Sequence, residues 1–132
     1  MNYNANQLIL DCIESITKTN YENFEIIVVD NASTDNSHIK CKEKFEKIRL
    51  IENEKNFGYC EGNNVGIKNA KGELIVILNP DTIVHPDWLS ELIRVYNEHG
   101  EALYQPKHLS LNEKSVIMST GNMMHIFGFG YA

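Results

Sequence analysis

Polar side chains stand where three apolar runs stop. "FEIIVVDN" (24–31) closes in Asp30 and Asn31. "IRLIEN" (48–53) closes in Asn53, with Asn56 shortly after it. "VILNPDTIVHPDWL" (76–89) passes from an apolar start to Asn79 and then to Asp81, behind Pro80. Taken singly, each is an ordinary turn residue. Ligands of open parallel sheets, however, bind outside the carboxyl ends of the strands. Three such endings on one sheet edge point to a shared site for a polar ligand. The missing motifs narrow the chemistry. No GxGxxG follows a strand and no GxxxxGK[ST] occurs, so neither dinucleotide binding nor a P-loop cradle is supported. Gly58-x-x-x-Gly62 lies in a suitable place but is a weak signal. A diphosphate would then need a hard cation, held by one or two carboxylates and by its own oxygens. Asp81 suits that role.

The elements that must position these residues follow from hydrophobic spacing. Leu8, Ile9, Cys12, Ile13 and Ile16 recur at helical intervals over 6–18. The β-branched run at 24–31 reads as a strand buried on both faces. "NASTDNSH" supplies a loop with N-cap candidates Ser33 and Thr34. A polar helix carrying Ile39 and Phe45 is predicted over 36–46, a strand over 48–53, a helix over 60–70 and a third strand over 73–79. Trp88, Leu89, Leu92, Ile93, Val95 and Tyr96 mark a helix over 87–98, stopped by Gly100. Asp87 suits its N-cap better than a second metal ligand. A further strand at 102–109 is interrupted by Pro106, and the tail is hard to assign. Alternation of this kind implies an α/β fold with a mainly parallel sheet and helices on both faces.

The 132 residues suffice for one domain with a core. The formal charge of −6 and the lack of a basic block make nucleic acid and anionic membrane poor partners. Cys12, Cys41 and Cys60 are odd in number and lack CxxC spacing, which argues for a reducing compartment and against a disulfide scaffold or zinc site. No apolar run approaches the ~20 residues of a membrane span. His85, His99, His108 and His125 show no paired spacing and read as surface or loop residues.

"EIIVVDNASTDNS", "NFGYCEGNNVGI" and "VILNPDTIVHPDWL" together resemble the nucleotide-sugar-binding half of family 2 inverting glycosyltransferases, and most of all their rhamnosyltransferase-like branch. The resemblance spans nearly the whole chain. It implies a GT-A-like (Rossmann-like) fold, with 1–132 as one nucleotide-sugar-binding domain. It implies transfer from a UDP- or dTDP-sugar to a saccharide or lipid-linked acceptor, with Mn or Mg as divalent cofactor. By the same resemblance, Tyr3 lies against the pyrimidine ring and Asp30 hydrogen-bonds the base. Asn31 and Ser33 shape that pocket, and Asn56, Gly58 and Asn64 line the nucleotide. Asn79 and Asp81 stand at the family's DxD motif, with Asp81 as the metal-binding acid.

Two departures from the family pattern shape the remaining expectations. The family's catalytic base is an acid downstream of the metal motif, and 114–132 holds no Asp or Glu, so the base is expected beyond Ala132. The first strand is reduced to its closing Asn2-Tyr3-Asn4. The chain therefore reads as the donor half of such an enzyme. The alternative is a non-catalytic nucleotide-sugar-binding module, or an inactive fragment, of the same fold. A receiver domain would need an acid pair after its first strand, and "MNYNANQ" has none. The open edge expected along 24–30, with the apolar tail at 116–132, predicts a homo-oligomer or an exchange of segments. The expected location is cytoplasmic, at the inner face of the membrane, in cell-envelope polysaccharide synthesis.

Overall fold

The computed structural model describes residues 1–113, 115–119, 123–124 and 130–131. The chain divides into two compact units, Met1–Leu89 and Ser90–Ala132. The first holds α1 (Gln7–Thr17), β1 (Ile26–Asp30), α2 (Ser37–Lys44), β2 (Ile48–Glu52) and α3 (Gly58–Asn69). β1 and β2 pair in parallel, with Ile26 opposite Ile48 and Asp30 opposite Glu52. On the other edge of β1 a single parallel bridge joins Asn2 to Asp30. The Asn2 amide donates to Val29 O, and the Asn31 amide donates to Asn2 O. The closing "NYN" therefore does lie beside β1.

Period-two alternation sends successive β1 side chains to opposite faces. Val28 joins Ala5, Ile9, Leu10, Ile13 and Cys41 in the main core, with Ile26, Phe45, Ile48 and Leu50 packed around it. Val29 faces α3, where its Cγ2 lies 3.1 Å from the position a Cβ on Gly66 would take. Helices thus cover both faces. The apolar stripe of α1 is buried through Ile9, Leu10, Cys12, Ile13 and Ile16, and of the residues that predicted it only Leu8 is exposed.

Several expectations are corrected. Residues 73–79 form no strand, and Leu74, Ile75, Val76 and Ile77 are exposed. A strand exists only through a partner, and among the described residues the one neighbour on that edge of β1 is the single Asn2 bridge. α2 does not bury Ile39; it turns Ser37, His38 and Cys41 inward. Neither Ser33 nor Thr34 caps it. Ser33 is drawn to Asp30, and Asn36 takes the N-cap position in a left-handed conformation.

α4 (Trp88–His99) starts at the end of the first unit. Trp88 is half-buried, and its indole N–H donates to Thr19 Oγ1 at 2.9 Å. In the second unit Tyr96 is also half-buried, and the Gly100 amide closes the helix onto Tyr96 O. The strand expected over 102–109 is confined to β3 (His108–Leu109), antiparallel to β4 (Ile117–Ser119). Pro106 lacks the N–H a longer ladder would need. β5 (Met123–Met124) pairs antiparallel with β6 (Gly130–Tyr131). His85, His99 and His108 are exposed as expected; His125 lies outside the described residues. No helix among the described residues is long and apolar enough to cross a membrane.

Candidate functional site

The carboxyl end of β1 is a buried polar hub. Asp30 is 2% exposed and Asn31 is fully buried. Asp30 Oδ1 accepts from Asn2 Nδ2 at 2.7 Å and from Ser33 Oγ at 2.6 Å, and Oδ2 accepts from the Ser33 amide at 2.8 Å. A carboxylate this far from water is tolerated because donors meet both its oxygens. Closing the loop around it takes Ala32 into the left-handed region, at φ 58°. Asn2 Nδ2 also donates to Ser37 Oγ at 2.9 Å. At the rim, burial acts to raise the Asp35 pKa, but hydrogen bonds from the Ser37 hydroxyl and amide and the Asn6 amide outweigh it and hold the carboxyl below its ordinary value.

Asn31 ties β1 to the other strand end and to α3. Its Nδ2 donates to Gly58 O at 3.0 Å and to Asn56 Oδ1 at 3.2 Å, while its Oδ1 accepts from Asn53 Nδ2 at 2.7 Å. The Gly58 amide donates to Asn56 Oδ1 at 2.8 Å, and Gly58 takes φ +81°, which suits a residue without a Cβ. The ends of β1 and β2, singled out by their asparagines, are thus joined into one constellation.

Beside the hub lies an open pocket of about 450 Å³, lined among others by Tyr3, Leu8, Tyr59, Asn79, Pro80 and Asp81. Helix α1 fastens the loop that carries Asp81. Cys12 Sγ lies 3.6 Å from Asn79 O, and Ser15 Oγ accepts from the Val84 amide at 3.1 Å. Farther along, Asn20 donates its amide to Pro86 O and its Nδ2 to Asp87 Oδ1. Burial pushes the Cys12 thiol up to about 11, so it stays a neutral donor. Asp81 is exposed and has no hydrogen-bond or ion-pair partner among the described residues. It is the one charged side chain in the pocket lining, where neither lysine nor arginine stands.

The predicted site residues therefore fall into three groups. Tyr3, Asn79 and Asp81 share the pocket. Asp30, Asn31, Ser33, Asn56 and Gly58 belong to the hub and do not line it. Asn64 is exposed on α3, with its Nδ2 3.3 Å from Glu61 Oε2. Sequence reasoning missed Asn2, whose buried amide donates to Asp30, and two further residues. Tyr59 lines the pocket. His38 is buried behind the hub, with Nδ1 3.7 Å from Asp30 Oδ1 and Nε2 3.6 Å from Glu52 Oε1. The spacing His38, Cys41, Phe45 is helical and could have marked the inward face of α2.

Residues 1–129 match the family described as Glycosyl transferase family 2. Glycosyltransferase GlyG of Streptococcus pneumoniae is 36% identical over 99 residues, covering 73% of this chain and 33% of GlyG. Glycosyltransferase GlyA of the same organism is 30% identical over 132 residues, covering 98% of this chain and 18% of GlyA. The chain thus spans a third or less of these two relatives. Among solved structures, Staphylococcus aureus TarS 1-349 in complex with UDP aligns with a TM-score of 0.68 at 24% identity, over 85% of this chain and 40% of that one. The mannosyltransferase PcManGT of Pyrobaculum calidifontis, in complex with GDP-Man and Mn2+, aligns at 0.69 and 24%, over 80% and 34%. These two likenesses carry the fold, which is GT-A. With the match running over nearly its whole length, the chain belongs to glycosyl transferase family 2.

Proposed function

We propose that this chain binds the donor of a glycosyl transfer, a nucleoside-diphosphate sugar of the UDP or dTDP type, for inverting transfer to a saccharide or lipid-linked acceptor. The observation that carries this reading is the convergence of Tyr3, Asn79 and Asp81 on one open pocket at the carboxyl edge of the sheet. An exposed aromatic face suits a pyrimidine ring. Asn79 offers an amide to phosphoryl oxygens, and Asp81 offers a carboxylate that no group among the described residues occupies.

The pocket's chemistry fits a divalent cation. The lining sets the Asp81 carboxylate against a diphosphate with no lysine or arginine beside it, only Met1, whose α-amine burial holds below its ordinary pKa; Mg²⁺ or Mn²⁺ at Asp81 would reverse that repulsion. Such an ion would stabilise charge developing on the leaving diphosphate. Asp81 would hold it, α1 would keep the Asp81 loop in place, and the hub would fix the strand ends around the pocket. The base that deprotonates the acceptor is not assigned to any residue here. Work at the cytoplasmic face of the membrane on an envelope polysaccharide fits this reading. TarS in complex with UDP and PcManGT in complex with GDP-Man and Mn2+ support the ligand class.

Calorimetric titration of the chain with UDP and with dTDP, in Mn²⁺ and in EDTA, tests the proposal. Saturable binding is expected in Mn²⁺ and a large loss in EDTA. Failure of both nucleotides to bind at millimolar concentration in Mn²⁺ would remove it.

A further inference from the structure

Tyr59 lines the same pocket as Tyr3, Asn79 and Asp81. It stands in the first turn of α3 and is 52% exposed, so it is not there to fill the core. Its hydroxyl lies 3.1 Å from Asn79 Oδ1 and donates to it. Both ends of this contact sit on fixed backbone. Gly58, the preceding residue, is held through its amide by Asn56 and through its carbonyl by Asn31. Asn79 O faces Cys12 Sγ and accepts from the Thr82 amide. With the Tyr59 hydroxyl as donor, the amide oxygen faces Tyr59 and Nδ2 is turned away from it. Among the described residues no acceptor meets Asn79 Nδ2, so both its N–H groups remain for a ligand.

Resting on the donor-binding reading, we infer that Tyr59 is a positioning residue for the phosphate end of the site. Its hydroxyl fixes the Asn79 amide so that Nδ2 presents its N–H groups to phosphoryl oxygens beside Asp81. Tyr59 acts through Asn79 and contributes nothing to recognition of the base. It also couples the hub to the Asn79–Asp81 loop, because the hydrogen bonds run from Asn31 through Gly58 and Tyr59 to Asn79.

The test uses the full chain in Mn²⁺, with UDP and uridine as probes, followed by calorimetry and by ligand-observed NMR. Tyr59→Phe keeps the ring and removes the hydroxyl. It is expected to weaken UDP about 5- to 10-fold, the size of one hydrogen bond to a charged ligand's partner. Uridine binding should be unchanged, and so should the melting temperature of the unliganded chain. In an Asn79→Ala background, Tyr59→Phe should have no further effect on UDP, since coupled neighbours are not additive. Equal UDP affinity in Tyr59→Phe and the unsubstituted chain overturns the inference and leaves the donor reading intact. So does an equal loss for UDP and uridine, or a full effect in the Asn79→Ala background. Absence of UDP binding by the unsubstituted chain instead removes the donor reading and the role of Tyr59 with it.

Discussion

The side-chain amide of Asn31 occupies the space that a Cβ on Gly62 would need: such an atom would lie 2.9 Å from Nδ2 and 3.2 Å from Oδ1. It would also meet Met1 Cγ at 2.9 Å. One turn on, a Cβ on Gly66 would press on Val29 at 3.1 Å. Helix α3 therefore rests on β1 through glycines, and this close approach lets Asn31 reach the Gly58 carbonyl.

Gly62→Ala is accordingly expected to destabilise the chain. Overpacking costs about 1–3 kcal/mol, against a helix-propensity gain of about 1 kcal/mol for alanine over glycine. The Asn31 amide cannot move aside freely, because three hydrogen bonds hold it. A net loss of up to about 2 kcal/mol should appear in urea unfolding. Substitution of the exposed Cys60 by serine should change little. A stabilised Gly62→Ala variant would contradict the close packing of α3 on β1.

Local pattern specifies some elements of this fold and not others. The helices at 6–18, 60–70 and 87–98 and the strands at 24–31 and 48–53 were legible because periodicity reports local geometry. Residues 73–79 were not, since "ELIVILN" has the composition of a buried strand but pairing depends on a neighbour that no local pattern supplies. At the site, the asparagines were legible as strand endings, yet their division into hub and pocket was not. Asp30 and Asp81 both close apolar runs. Burial and satisfied hydrogen bonds separate the first from the second, and both are tertiary facts. Tyr59 escaped notice because an aromatic in a helix's first turn carries no local signal for what its hydroxyl reaches.

Asp81→Asn tests the charge at the pocket. The side chain is exposed and unpaired among the described residues, so stability should stay within about 0.5 kcal/mol of the unsubstituted chain. UDP affinity in Mn²⁺ should fall about tenfold or more, as expected on losing a charged group that meets the ligand's ion. Affinity should then be similar in Mn²⁺ and in EDTA. Retention of full metal dependence by Asp81→Asn would place the cation elsewhere.

Asp35 supplies a pH dependence with a defined sign. Its folded pKa is lowered, through hydrogen bonds from Ser37 and Asn6 that outweigh burial. A depressed carboxyl stabilises the fold above its unfolded pKa of about 3.9, and that contribution is lost as pH falls through the lower folded value. Asp35→Asn should therefore be less stable than the unsubstituted chain at pH 6, and the gap should narrow at pH 3. Urea midpoints at the two pH values measure it, and a gap that widens in acid would reverse the assignment.

Unpaired backbone on one edge of β1 bears on assembly. Asp30 gives its carbonyl to Asn53 on the β2 side, and Val29 gives its carbonyl to Asn2 on the other. Alternation then directs the N–H and C=O of Ile27 to the Asn2 side, where no strand pairs with them among the described residues. Leu74–Ile77 likewise form no ladder and expose an apolar run with three β-branched residues, Ile75, Val76 and Ile77. Edges and runs of this kind recruit a strand from another chain. The expectation is a homo-oligomer or an exchange of segments at tens of micromolar, seen in light scattering behind size exclusion as a mass above 15.1 kDa. Val76→Lys puts a charge in the middle of the exposed run and should shift the distribution toward monomer. A 15.1 kDa species for the unsubstituted chain, with a cooperative melt, would mean that water alone satisfies this edge and that the run does not associate.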